Sequence, residues 1–115
     1  MRNNEVAITR SQCPKAILAT TGFRGRKITV VLANDVFVHG FYWDGGSKTT
    51  WTMVNLATGE MRTMSPTMAA PFNFGGAMEA TYPIPEGWVV VEDTIFCGKR
   101  MSLRIHTRAP LAIPA

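Results

Sequence analysis

Val36-Phe-Val-His-Gly-Phe-Tyr-Trp43 and Thr49-Thr-Trp-Thr-Met-Val-Asn-Leu56 stand on either side of Asp44-Gly-Gly-Ser47 in the middle of this chain. Both runs are rich in β-branched and aromatic residues, which favour extended backbone, and the glycine pair tolerates the positive φ of a tight turn. The pattern predicts that 36–43 and 48–56 pair as an antiparallel hairpin. After Asn55, Ala57-Thr-Gly59 predicts a type I turn closed by a left-handed glycine. The chain then returns through Met61-Arg-Thr-Met64, the third strand of a meander.

Working outward, Ile28-Thr-Val-Val-Leu32 and Trp88-Val-Val-Val91 with Ile95-Phe96 read as strands, and 16–20 as another. In Met101-Ser-Leu-Arg-Ile-His-Thr107 the alternation puts Met101, Leu103 and Ile105 on one face, and Ser102, Arg104 and His106 on the other. This predicts a half-buried strand with a basic edge. Helical spacing tempts only between Ser65 and Glu79, where Pro66, Pro71, Gly75 and Gly76 argue against more than a turn. The stretch 65–87 is therefore expected to be one long irregular loop. Met68, Phe72, Phe74, Met78 and Tyr82 make it too apolar for a solvated linker, so it closes its own barrel or docks on a partner subunit. The fold class is all-β: a small antiparallel barrel or sandwich of about six to eight strands, one domain over 1–115.

Composition bounds the setting. The 115 residues are 46% apolar and only 17% charged, which predicts a homo-oligomer subunit before a lone monomer. The chain has no apolar run of about 18 residues and no signal-peptide pattern near Met1, so a cytoplasmic protein without membrane contact is expected. Cys13 and Cys97 fit two buried thiols in a reducing compartment, the commoner case, or one disulfide joining the basic ends, and the sequence does not choose between them.

Charge is unevenly spread. Residues 1–27 hold six cations against Glu5, residues 94–115 hold four with no acid, and 28–93 hold two against seven acids. If the fold joins the two basic ends, a surface facing anions results. The densest cluster is Thr20-Thr-Gly-Phe-Arg-Gly-Arg-Lys27. There Gly22 and Gly25 can turn backbone N–H groups toward an anion, Arg24, Arg26 and Lys27 supply charge, and Phe23 offers a stacking face. Its spacing is not that of a nucleoside-triphosphate loop. The Gly-x-x-Gly spacing is that of a KH clamp loop, yet a KH loop lies between helices and these flanks read as strands. A solvated hairpin tip is the plain alternative. Lys99, Arg100 and Arg104 extend the candidate ligand-binding set from the other basic end.

Of Phe41, Tyr42, Trp43 and Trp51, alternate members at most can line one platform, and the others belong to the core. His39, His106, Cys13 and Cys97 lack the short spacing that preorganises zinc, so no metal or cofactor is expected. Cys97 beside Lys99 is a conceivable nucleophile, but nothing orders His39 or His106 onto it. Asp44, Glu60, Glu92 and Asp93 are the carboxylates considered for acid–base work. Neighbours such as Glu92 and Asp93 splay to opposite faces of a strand and cannot share a substrate atom. The residues predict no enzyme.

The phrases Thr21-Gly-Phe-Arg-Gly-Arg-Lys-Ile28, Tyr42-Trp-Asp-Gly-Gly-Ser-Lys48, Asn55-Leu-Ala-Thr-Gly59 and Phe96-Cys-Gly-Lys99 together resemble those of short proteins encoded by tailed bacteriophages. The resemblance supplies no activity and no site residues. It implies an accessory job, binding and blocking a host component or sequestering a signal, in the host cytoplasm. The resulting expectation is a non-enzymatic module that binds nucleic acid or a nucleotide through the basic loop. The alternative is a host-factor inhibitor or virion component that uses 65–87 and the C-terminal tail as a protein interface.

Overall fold

A computed structural model of the chain describes residues 4–21, 28–41, 47–64, 77–96 and 99–111. Eight strands and one short helix follow in order: β1 Glu5–Ile8, α1 Lys15–Thr21, β2 Ile28–Leu32, β3 Asp35–Phe41, β4 Ser47–Asn55, β5 Met61–Met64, β6 Ala77–Pro83, β7 Trp88–Phe96 and β8 Lys99–Thr107. A 3-10 turn, Arg10–Gln12, links β1 to α1. Six strands form one sheet in the order β1-β2-β8-β7-β4-β5, and β3 pairs with β6 in a separate two-stranded ribbon. The all-β expectation holds as a sandwich-like fold. The large sheet is open, with β1 and β5 at its edges.

The run Trp88-Val-Val-Val91 shows why the sheet needs two covers. Val89 and Val91 face one side and Val90 the other, yet all three are at most 1% exposed, as in a strand buried on both faces. On one side Ile8, Ile28, Val30, Val54, Leu103 and Ile105 pack with Val89 and Val91 against Ile17 and Cys13 of the α1 region. On the other, Val36, Val38 and Ile84 bring the ribbon down onto Trp51 and Val90. Burying each branched side chain contributes about 1.5–3 kcal/mol.

Three local expectations are corrected. The stretch 16–20 is helix, not strand: Ala16, Leu18 and Ala19 are helix-compatible, and Pro14 and Gly22 bracket the run as a helix start and stop. The hairpin of 36–43 with 48–56 does not form. Both edges of β4 are taken by β5 and β7, so β3 finds its partner in β6, with Val36 opposite Tyr82 and Val38 opposite Ala80. Within 65–87, residues 77–83 are strand, and 65–76 lie outside the described residues.

Other details hold. Gly59 has φ +78°, and Asn55 Oδ1 accepts from the backbone N–H groups of Ala57 and Thr58 at 2.9 and 3.1 Å, closing the turn into β5 as the sequence predicts. In β8, Leu103 and Ile105 are 0% exposed while Ser102 and Arg104 alternate onto the opposite face. β8 is nonetheless an interior strand, not an edge, and its pairing with β2 is parallel. That makes the sheet mixed. No described helix is long and apolar enough to cross a membrane.

Ile105 sits between α1 and the centre of the sheet, so truncating it leaves a cavity that a rigid strand cannot close. Ile105→Ala is expected to cost about 2–5 kcal/mol, read as a lower urea midpoint at unchanged m-value.

Candidate functional site

Parallel pairing determines which residues share an end of the sheet. Ile28 stands level with Leu103, Ile8 with Ile28, Phe96 with Lys99 and Ser47 with Phe96. Hence β2, β4 and β8 begin, and β1 and β7 finish, toward one end, where Lys99 stands four residues before the Leu103 that aligns with Ile28 and Ile8. Arg10 follows β1 there, Lys48 lies on β4, and Lys99 and Arg100 lie on β8. Lys48 and Arg100 both align with Ile95, one from each side of β7. Asp93, level with Leu103, is only 6% exposed. Asp35, Glu60 and Glu86 sit at the other end, beside Arg62 and Arg108.

Of the sequence-derived site, Phe23, Arg24, Arg26 and Lys27 lie outside the described residues, in the segment that joins α1 to β2. Lys99 and Arg100 are placed by their backbone at the start of β8. Arg104, farther along the strand, has a different setting. Its Nη1 donates to Glu5 Oε1 at 3.1 Å, its Nε lies 3.5 Å from Glu92 Oε1, and His106 Nε2 lies 2.9 Å from that same oxygen. The register explains the convergence. Trp51, Glu92 and Arg104 form one row across β4, β7 and β8, while Val90, His106, Val31 and Glu5 form the next row on the same face. The His106 ring lies tilted by 34° at 5.8 Å from Trp51, whose buried Nε1 finds no hydrogen-bond partner among the described residues.

Two carboxylates thus share one guanidinium, and little positive field is left for an external anion. Arg104 fastens β1, β7 and β8 together instead. Sequence reading missed Glu5 because 99 residues separate it from Arg104, and only the parallel β2–β8 pair closes that gap. The splay of Glu92 and Asp93 to opposite faces is as expected.

The aromatic platform narrows similarly. Trp51 is 5% exposed beneath the ribbon, in agreement with the core reading, while Tyr42, Trp43 and the Phe41 and His39 side chains lie outside the described residues. Among the described residues no three His, Cys, Asp or Glu side chains gather as a metal site. Cys13 is a free thiol, and burial raises its pKa from 9.0 to about 11 against a smaller lowering by Arg10. It is a poor nucleophile on that account. Cys97 lies outside the described residues. A cleft of about 480 Å³ opens at the end away from Lys99 and Arg100, lined by Leu56, Trp88, Val89, Thr107, Arg108 and Leu111 among others.

Two outcomes follow from these settings. Arg104→Ala leaves Glu5 and Glu92 facing each other's field and is expected to cost about 1–2 kcal/mol in urea denaturation, partly recovered when Glu92→Gln is added. For Cys13, the folded state holds its proton above pH 9.0 while the unfolded thiol loses it. Stability therefore falls as pH rises from 9.0 toward about 11. The protein should lose about 2 kcal/mol more than Cys13→Ala across that window in paired denaturation curves.

Compared with family models, curated proteins and solved structures, the chain matches none.

Proposed function

We propose that the protein is a non-enzymatic binding module that takes an anionic ligand, nucleic acid or nucleotide, at the basic end of its sheet. Its place would be among the accessory proteins of tailed phages that its sequence resembles. The observation that carries this reading is the parallel pairing of β2 with β8, which brings both strands in from one end, with Lys99 four residues before Leu103, the partner of Ile28. Lys27 is bonded to Ile28, so its Cα lies about 3.8 Å from the first residue of β2. The basic loop and the Lys99–Arg100 pair, 72 positions apart at Lys27 and Lys99 in the sequence, thereby attach to the same end. Asp35, Glu60 and Glu86 stand at the opposite end beside Arg62 and Arg108, with Glu60 paired to Arg62, whereas Arg10, Lys48, Lys99 and Arg100 lie toward the basic end, a difference that favours an anion approaching there. Phe23, Arg24, Arg26, Lys27, Lys99 and Arg100 are the contact residues in this reading. Arg104, held by Glu5 and Glu92, is not among them.

A protein-interaction or structural role through 65–87 and the tail, as a homo-oligomer or on a host protein, has less surface to offer. Residues 77–83 are spent on pairing with β3, and Ile84 is fully buried under the ribbon.

The test is fluorescence anisotropy with a labelled oligonucleotide and calorimetry with cyclic nucleotides, on the wild type and an Arg24→Ala/Arg26→Ala/Lys27→Ala variant. Binding should weaken with salt in the wild type, and the variant should bind more weakly with a shallower salt dependence at unchanged melting temperature. Equal binding by both proteins would move the site away from the loop, and a wild type that binds no anion would remove the reading.

A further inference from the structure

At the end of the sheet away from Lys99 and Arg100, the cleft of about 480 Å³ is lined by apolar side chains and by two charges of opposite sign. We infer that it is a second binding site, independent of the anion reading, and that it takes a small zwitterion with an apolar body, of the size and chemistry of a dipeptide of apolar residues. Hydrogen bonds fix the backbone around it. Leu56 N–H donates to the Gly87 carbonyl at 3.2 Å, which extends the β4–β7 ladder by one residue and leaves Leu56 36% exposed in the cleft. Trp88 N–H donates to the Pro85 carbonyl at 3.1 Å with Gly87 at φ +84°, a type II turn that sets Glu86 at its second position. Thr107 Oγ1 donates to the Ala109 carbonyl at 2.8 Å, and Pro110 and Leu111 follow as further lining. Val89 belongs to the α1-side core and Leu111 packs against it, so the apolar part of the cleft is continuous with that core.

Charge decides what fits. Glu60 and Arg62, at the same end, satisfy each other at 3.1 Å, and Arg62 lies over the Trp88 ring at 5.1 Å. Glu86 and Arg108 both line the cleft and do not pair with each other; among the described residues neither is in an ion pair. Arg108 Nη1 donates to the Ile84 carbonyl at 3.4 Å, and a guanidinium has further N–H groups to offer. A wholly apolar occupant strips water from both charges and replaces it with nothing, an anion meets Glu86, and a cation meets Arg108. A molecule with an amine at one end and a carboxylate at the other satisfies both, while Leu56, Val89, Pro110 and Leu111 receive its side chains. Size points the same way. At about 30 Å³ per water molecule the cleft holds about sixteen waters, close to the number of non-hydrogen atoms in a leucine dipeptide, whereas a single amino acid leaves much of it to solvent.

The experiment is titration calorimetry with leucyl-leucine, its N-acetyl form, its C-terminal amide and free leucine, on the wild type, Glu86→Gln and Arg108→Gln. The dipeptide should bind, each cap should weaken it about five- to tenfold, and leucine should bind more weakly than the dipeptide. Glu86→Gln should weaken the dipeptide by the same factor and leave the N-acetyl form unchanged, since the amine that Glu86 holds is already gone, and Arg108→Gln should behave likewise toward the amide. Arg108 touches the Ile84 carbonyl and its loss can shift stability, whereas Glu86→Gln should melt as the wild type does and carries the test alone. Dipeptide binding absent up to about 10 mM, capped forms or leucine binding as tightly as the dipeptide, or Glu86→Gln weakening the free and N-acetyl forms alike would overturn the inference. The anion reading rests on other residues and stands or falls by its own measurement.

Discussion

The hydrogen-bonded parallel pair of β2 and β8 is the constraint on which the rest of the molecule depends. It joins residues 28–32 to 103–107 across most of the chain, the kind of non-local contact whose loop-closure entropy must be offset by burial. Both strands then lie inside the sheet, so their side chains need partners above and below. Ile28, Val30, Leu103 and Ile105 find them in the α1 region, and Val90, a neighbour through β7, finds its own in the ribbon. The two covers exist because the central strands are apolar on both sides. The same pair also orients the charges, since parallel strands enter from the same end even though β8 begins four residues before the level of Ile28.

What the sequence reveals and what it hides divide along that line. Period-two runs located β2, β4, β7 and β8, and the Asn55–Gly59 turn was legible because its chemistry is local: an asparagine side chain accepting two N–H groups and a glycine at positive φ. The short helix was not legible as such. Ala-Ile-Leu-Ala is apolar throughout, and a run of five shows no period that separates helix from strand. Strand partners were legible only where adjacent in the chain. The β4–β5 hairpin is such a case, whereas β3 has a turn-like glycine pair after it and still pairs with β6, because pairing is settled by which faces can be buried together.

The site shows the same division. Clusters of like charge were visible as composition, but whether two clusters meet is a matter of topology, and whether a given cation is free is a matter of what lies beside it. Arg104 illustrates the second point: by alternation alone it faces the same side as Ser102, as it does, but alternation cannot show that Glu5 and Glu92 stand within 3.1 and 3.5 Å of its guanidinium. Glu92 in turn is shared with His106, which lies tilted against Trp51. A polar group placed between a sheet and its covering ribbon has to be satisfied there, since an unpartnered one is costly at low exposure. Trp51 Nε1 has no such partner among the described residues.

A sheet buried on both faces has only its ends and edges left for binding. In larger folds the loops at strand ends are where function collects, because they can vary without disturbing the core that positions them. The same logic applies to a chain of 115 residues, more stringently, because a second functional face would leave one layer of its core uncovered. Lys99 and Arg100 open β8 and Lys48 lies near the start of β4, all toward one end of the sheet. Arg104, by contrast, is set between the Glu5 and Glu92 carboxylates and is committed to the fold. Position along β8 thus separates its first two residues, at the end of the sheet, from its sixth, which lies among charged partners from two other strands.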